Sequence, residues 1–247
     1  VLRLRILGSS DAFNASGALH SCYLLEHSTG SLLLECGPSV LAAMKRAKVA
    51  TSTPDAILVS HLHGDHFGGI PFVFLEYMFQ NRRTRPLRII GPPTLERRVD
   101  DLYRALYKDI VECRPLAFEL QYVEVHPGSR LEVAGFAVEA FEVPHSATPF
   151  SLGYRLSGGG ATVLFSGDSA WTDEFIPRSQ GVDVFLCECC SLERATDVHT
   201  SYADILAHRE ALGCRRLLLT HLGADVRESS SVASERAYDG MVVDLGA

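Results

Sequence analysis

Four residues able to bind a cation fall within one short segment, His61-Leu62-His63-Gly64-Asp65-His66. The segment follows Asp55–Ser60, a short apolar run with polar ends that reads as a buried strand. In an extended chain, residues two apart point the same way, so His61 and His63 can aim at one point. Asp65 and His66 come after a glycine turn and can aim at a second point close by. Imidazole combined with carboxylate suits zinc, iron or manganese. A hydrolytic pair of metals needs more donors than these, and three later strands end on candidates. His145 follows Glu142-Val143-Pro144, Asp168 sits in Phe165-Ser166-Gly167-Asp168-Ser169, and His221 follows Leu217-Leu218-Leu219-Thr220.

The pattern, taken in order along the chain, resembles the metallo-β-lactamase superfamily. There a His-x-His-x-Asp-His motif is joined by a later His, an Asp and a last His. The resemblance spans essentially the whole chain. It implies that one metal takes His61, His63 and His145, that the other takes Asp65, His66 and His221, and that Asp168 bridges both. It also implies an α/β fold, the four-layer αββα sandwich, with the site at the edge where the two sheets meet. The expected cofactors are two divalent metal ions, zinc first, with manganese or iron as alternatives. Such a pair lowers the pKa of a bridging water towards neutrality and stabilises the oxyanion that its hydroxide creates on attack. No protein nucleophile is needed, and Asp65 is expected to accept a proton from the water.

Within that superfamily, Ser60-His61-Leu62-His63-Gly64-Asp65-His66-Phe67-Gly68-Gly69-Ile70-Pro71 looks like the ribonuclease Z branch. So do Gly91-Pro92, the ending Tyr238-Asp239-Gly240-Met241, and Cys187-Glu188 followed by His199-Thr200-Ser201. This likeness implies that Glu188 and His199 pair beside the metals and that His199 gives a proton to the leaving group. A protonated imidazole neutralises a poor alkoxide leaving group, and a carboxylate behind it raises its pKa.

The chain also departs from that branch. Only 22 residues separate His145 from Asp168, too few for the long arm that grips transfer RNA in the commoner bacterial form. Ser10-Asp11-Ala12-Phe13-Asn14 replaces the family's early Pro-Thr…Arg-Asn segment, and Glu35 stands where Asp is common. The formal net charge is −7, where a nucleic-acid binder usually carries a basic surplus. Transfer-RNA processing is therefore disfavoured. The expected function is a phosphodiesterase acting on a small phosphodiester or cyclic phosphate, as in arm-less relatives. Two alternatives stay open: a lactonase or thioesterase, and a non-catalytic binding protein of cofactor biosynthesis.

The remaining elements must position these residues. The 247 residues, 47% hydrophobic and 21% charged, suit a single domain over 1–247 with a large core. Short strands are expected at Leu2–Leu7, Leu19–Glu26, Ser31–Glu35 and Leu87–Gly91. A helix capped by Ser39 runs to about Lys48, another covers Phe67–Gln80, and a third starts at Pro92-Pro93 and ends before Pro115. The second half repeats the rhythm, with strands near Phe118–Val125, Phe136–Val143, Ser151–Leu156, Thr162–Ser166, Phe185–Glu188 and Leu217–Thr220. A helix is expected over Ser201–Leu212, and Met241–Leu245 is expected to close the second sheet. Cys187, Cys189 and Cys190 read as buried free thiols, since a lone CxxC pair falls short of a zinc ribbon. Arg82, Arg83, Arg85 and Arg88 read as a solvated cluster, with contact to a phosphate-bearing substrate as the alternative. Phe74, Tyr77, Phe79 and Trp171 read as packing residues. No apolar run is long enough for a bilayer, so a cytoplasmic protein with a small-molecule substrate and no membrane partner is expected. A homodimer through the Phe67–Gln80 helix is a further expectation. The chain opens on Val1, so a removed leader stays open.

Overall fold

The computed structural model describes residues 1–147 and 150–246. The first half carries β1 (Leu2–Gly8), β2 (Cys22–His27), β3 (Gly30–Leu34), α1 (Val40–Arg46), β4 (Ala56–Leu58), α2 (Gly64–Phe67), α3 (Ile70–Phe79), β5 (Leu87–Gly91), α4 (Leu95–Cys113) and β6 (Leu120–Glu124). The second carries β7 (Arg130–Val133), β8 (Phe136–Ala147), β9 (Phe150–Gly158), β10 (Ala161–Phe165), α5 (Phe175–Arg178), β11 (Val184–Glu188), α6 (Tyr202–His208), β12 (Arg216–Thr220), α7 (Ala224–Glu228), β13 (Glu235–Arg236) and β14 (Val242–Leu245). They form two 7-stranded mixed sheets, ordered β14-β1-β2-β3-β4-β5-β6 and β13-β12-β11-β10-β9-β8-β7.

Side-chain alternation along the strands builds the layers. Leu2, Leu4, Ile6, Tyr23, Leu25, Leu32, Leu34 and Leu58 face the other sheet and pack with Val138, Leu152, Tyr154, Val163, Phe165, Val184 and Leu218. On the opposite face of the first sheet, Leu24, Leu33, Ile57 and Ile89 pack with Val40, Met44, Phe74, Tyr77 and Val99 of α1, α3 and α4. Outside the second sheet, Leu164, Phe185 and Leu219 meet Phe175, Ile205 and Val226 of α5, α6 and α7. Three apolar layers between four structural layers give the αββα sandwich. Among the described residues no helix is long and apolar enough to cross a membrane.

Several expectations need correction. The closing strand β14 joins the first sheet: it pairs antiparallel with β1, from Leu2↔Leu245 to Arg5↔Val242. Bonds from Ile6 N to Met241 O (2.9 Å) and from Gly240 N to Ile6 O (2.8 Å) fix that choice. The helix expected over Phe67–Gln80 is two helices, broken around Gly68-Gly69. Gly69 packs so tightly that a Cβ there would lie 2.3 Å from Gly37 O, and Pro71, which cannot donate, sits in the first turn of α3. Ser39 caps nothing; its Oγ accepts from His20 N (3.0 Å). Ser201 does cap α6, in a capping box with Asp204. Arg83 is buried, and its guanidinium donates to the carbonyls of Pro54, Arg85 and Pro86 at 2.7–3.0 Å. Phe74 and Tyr77 are core, whereas Phe79 is exposed. Cys187 and Cys189 are buried free thiols, but Cys190 is only half-buried.

The two sheets are tied together where the site forms. Tyr154 OH donates to Val59 O (2.8 Å), Leu152 N donates to Ser60 O (3.0 Å), and the hydroxyls of Tyr23 and Thr220 meet at 2.7 Å. Tyr154→Phe leaves the buried Val59 carbonyl without this partner. We expect it to lower unfolding stability by about 1–3 kcal/mol, measured by urea denaturation.

Candidate metal centre

Every residue of the cluster leaves the end of a strand, or the last turn of one, on the same edge of the sandwich. His61, His63, Asp65 and His66 follow β4, His145 lies near the end of β8, Asp168 follows β10, and His221 follows β12. Gly167, at φ +62°, turns the chain after β10; a Cβ there would also lie 2.5 Å from Leu152 O. The structure brings these residues into two adjoining groups. Donor atoms of His61, His63 and His145 lie within 4.8 Å of one another, as do those of Asp65, His66, Asp168 and His221.

His63 Nδ1 and His145 Nε2 are 3.1 Å apart. His66 Nε2 is 3.1 Å from Asp65 Oδ2 and 3.2 Å from Asp168 Oδ2. His221 Nε2 is 3.4 Å from Asp65 Oδ2 and 3.2 Å from Asp168 Oδ2. The same Asp168 oxygen lies 3.9 Å from His61 Nε2 and 4.0 Å from His145 Nε2, so it faces both groups. Ligands held 2.0–2.1 Å from zinc in a tetrahedron stand about 3.3 Å apart, and the shorter of these separations match. His61 Nε2 and His66 Nε2 are buried without a hydrogen-bond partner. Orphaned ring nitrogens aimed into a carboxylate-lined centre are what a cation would satisfy.

Behind the cluster, other groups set which nitrogen faces inward. Ser60 Oγ meets His61 Nδ1 at 3.0 Å, and His145 Nδ1 donates to Val198 O at 2.8 Å, leaving each Nε2 free. Glu35 is buried beside the metal loop: it accepts from Ser60 N (3.0 Å) and faces His66 Nδ1 at 3.4 Å. Gly37 admits this loop at close range. A Cβ there would meet Asp65 O at 2.4 Å and His20 Cβ at 2.6 Å. Ser60, Val198 and His20 were not found from the sequence. A carbonyl carries no side-chain signal, and serine or a lone histidine carries too weak a one.

Burial depresses the pKa of His61, against the pull of Asp168, and likewise those of His63 and His145. Burial also opposes the charge on His66, but Asp168 and Glu35 outweigh it and hold its pKa well up. The two groups therefore differ: burial disfavours charge on His61, His63 and His145, whereas nearby carboxylates favour it on His66.

Glu188 and His199 meet as expected. His199 Nδ1 lies 3.1 and 3.2 Å from the two oxygens of buried Glu188. Ser169 N also donates to Glu188. Burial works against the His199 charge, and the bond to Glu188 overcomes it, so the pKa is raised. The His199 ring centroid is 4.8 Å from that of His145 and 5.6 Å from that of His221, placing the pair at the edge of the cluster. Trp171 packs, with its ring stacked on His208 at 4.4 Å.

Such a cluster on such a sandwich defines a hydrolase of the metallo-β-lactamase superfamily. The chain is similar to a ribonuclease Z of Methanosarcina acetivorans, 25% identical over 98% of this chain and 95% of that protein. It is similar also to the probable metallo-hydrolase YhfI of Bacillus subtilis, 26% identical over 90% of this chain and 87% of the relative. The crystal structure of YhfI superposes with a TM-score of 0.77, at 23% identity, over 99% of this chain and 100% of that one. A diphosphatase of the PhnP family superposes with a TM-score of 0.75, at 18% identity, over 99% of this chain and 98% of its own. The family model described as anti-Pycsar protein Apyc1 matches residues 2–239, and the chain belongs to that family.

Protein loaded with zinc is expected to hold two ions per chain by elemental analysis, and Asp168→Ala fewer. Gly37→Ala, which forces the Asp65 carbonyl aside, is expected to lower metal content as well. Chelation is expected to lower Tm, since ions that bind only the folded state stabilise it by mass action.

Proposed function

We propose that this chain is a dinuclear metal-dependent phosphodiesterase acting on a small phosphodiester or cyclic phosphate. His61 Nε2, His63 Nδ1 and His145 Nε2 would hold one cation, Asp65, His66 Nε2 and His221 Nε2 the other, with Asp168 shared. Zinc suits this donor set first, with manganese or iron as alternatives. When bound, the pair supplies Lewis acidity and a water of lowered pKa.

The observation that carries the reading is the Glu188–His199 pair, with His199 Nδ1 3.1 Å from a buried carboxylate at the cluster's edge. The carboxylate holds the proton on Nδ1 and raises the basicity of the ring, so Nε2 is the nitrogen left to serve the substrate. As the phosphorus–oxygen bond breaks, the departing oxygen takes the Nε2 proton and leaves as an alcohol. An acyl ester with a good leaving group needs that acid less. His221 and His66 overcome the effect of burial at Asp65 and hold its carboxyl well below the usual range, which keeps it ionised to hold a cation and makes it only a weak acceptor for a proton from the water.

Two features support a small substrate. The chain between His145 and Asp168 is taken up by the rest of β8, by β9 and by β10, with no arm among the described residues. Arg83 is buried against backbone carbonyls, and Arg85, though exposed, is engaged with backbone carbonyls and Asp55, so neither guanidinium is left free for a phosphate.

The test is hydrolysis of bis(p-nitrophenyl) phosphate and a panel of cyclic phosphates, lactones and thioesters by zinc- or manganese-loaded protein. The reading expects phosphodiester or cyclic-phosphate turnover to dominate. Turnover confined to acyl substrates would overturn it. His199→Ala is expected to keep its metals and lose about 100-fold or more in kcat on a phosphodiester, in the range a single general acid contributes. Unchanged kcat would remove His199 from the mechanism.

A further inference from the structure

The ring nitrogens of His61, His66, His145 and His199 that turn away from the cluster each face an oxygen, although at His66 the 3.4 Å approach to Glu35 is not a hydrogen bond. His61 Nδ1 meets Ser60 Oγ, His145 Nδ1 meets Val198 O, His66 Nδ1 faces Glu35, and His199 Nδ1 faces Glu188. His221 Nδ1 is buried and meets no nitrogen or oxygen partner. Its other nitrogen is committed, at 3.2 Å from Asp168 Oδ2 and 3.4 Å from Asp65 Oδ2.

The atom beside this ring is a sulfur. The donor atom of Cys190 lies within 4.8 Å of ring nitrogens of both His221 and His199. Cys190 is half-buried, unlike Cys187 and Cys189, and its backbone is fixed. Its N–H donates to Thr200 O at 3.0 Å, and Gly223 packs so closely that a Cβ would lie 1.9 Å from Cys190 O. His221 itself needs an anchor. It has φ +50°, a left-handed conformation that an L residue holds only when its surroundings impose it.

We propose that Cys190 is a positioning residue: its sulfur accepts the Nδ1–H of His221 and so holds that imidazole with bare Nε2 turned towards Asp65 and Asp168. A neutral imidazole that ligates through one nitrogen carries its proton on the other, and that proton requires an acceptor when buried. Sulfur is a weak acceptor, and the Cys190 sulfur lies within 4.8 Å of a ring nitrogen of His221. This role gives the half-buried thiol of the Cys187, Cys189 and Cys190 group a purpose that packing alone does not.

The inference rests on the two-metal reading, and the test separates the two. Wild type, Cys190→Ala and Cys190→Ser are compared by metal content and by competition with a chromogenic chelator. The cobalt-substituted wild type is also examined by absorption. Cys190→Ala is expected to weaken the weaker of the two metal affinities about 10- to 100-fold, the usual loss on removing a partner that orients a ligand. Cys190→Ser, which keeps an acceptor, is expected to recover most of that loss. The cobalt protein is expected to show ligand-field bands without an intense sulfur-to-cobalt charge-transfer band. Two results overturn the inference alone: wild-type affinity in Cys190→Ala, or a strong charge-transfer band that makes Cys190 a ligand. Wild-type protein that binds no divalent ion overturns the two-metal reading, and this inference with it.

Discussion

Four histidine ring nitrogens, from His61, His66, His145 and His221, converge within 4.0 Å on one oxygen, Asp168 Oδ2. One carboxylate oxygen cannot satisfy four nitrogens, and a second carboxylate, Asp65, presses in from the side. Polar atoms gathered so closely out of water are costly unless something of opposite charge is shared among them. The supporting structure is arranged accordingly. Ser60, Val198 and Glu35 stand behind three of the rings, and the hydroxyls of Tyr154, Tyr23 and Thr220 join the sheets where the strands end.

The same edge stores backbone strain. His221 at φ +50° and Glu35 at φ +63° both occupy the left-handed region without being glycine. Each such residue costs roughly 1–3 kcal/mol and persists where packing over-determines it. Both follow a strand that is buried between the layers, β12 before His221 and β3 before Glu35, so the flanking chain has little room to relax. Gly167 makes the equivalent turn before Asp168 with no Cβ to oppose it. Two of three comparable turns thus retain a polar side chain of the cluster or its support where glycine would be easier. The centre uses what those side chains offer: a ring aimed at two carboxylates, and a carboxylate held behind a ring.

The centre was legible in the sequence to the extent that its donors are letters in the sequence. His61 to His66 stand together, and His145, Asp168 and His221 each follow an apolar run that ends at the same edge. Glu188 and His199 came through family resemblance, because their spacing alone predicts no contact. The supports were illegible for a different reason. Val198 acts through its carbonyl, and any residue there offers one. The placement of β14 was misread because its alternation fits either sheet; backbone bonds between Ile6, Gly240 and Met241 decide it. Arg83 was misread because a basic run looks solvated until the carbonyls of Pro54, Arg85 and Pro86 are brought to it.

The engagement of Arg83 and Arg85 bears on what the centre can take. A polyanion is held largely by many separate cationic contacts, each releasing a counterion. This chain has a formal net charge of −7, and two arginines of its one basic run are engaged by its own backbone. Under the two-metal reading, the positive charge available to a phosphodiester is concentrated in the ions and on His199. Charge so localised can neutralise one phosphate group strongly and gains little from further phosphates along a chain. Under that reading, the arrangement that would suit the centre to breaking a phosphodiester is also the one that would favour a ligand carrying few of them.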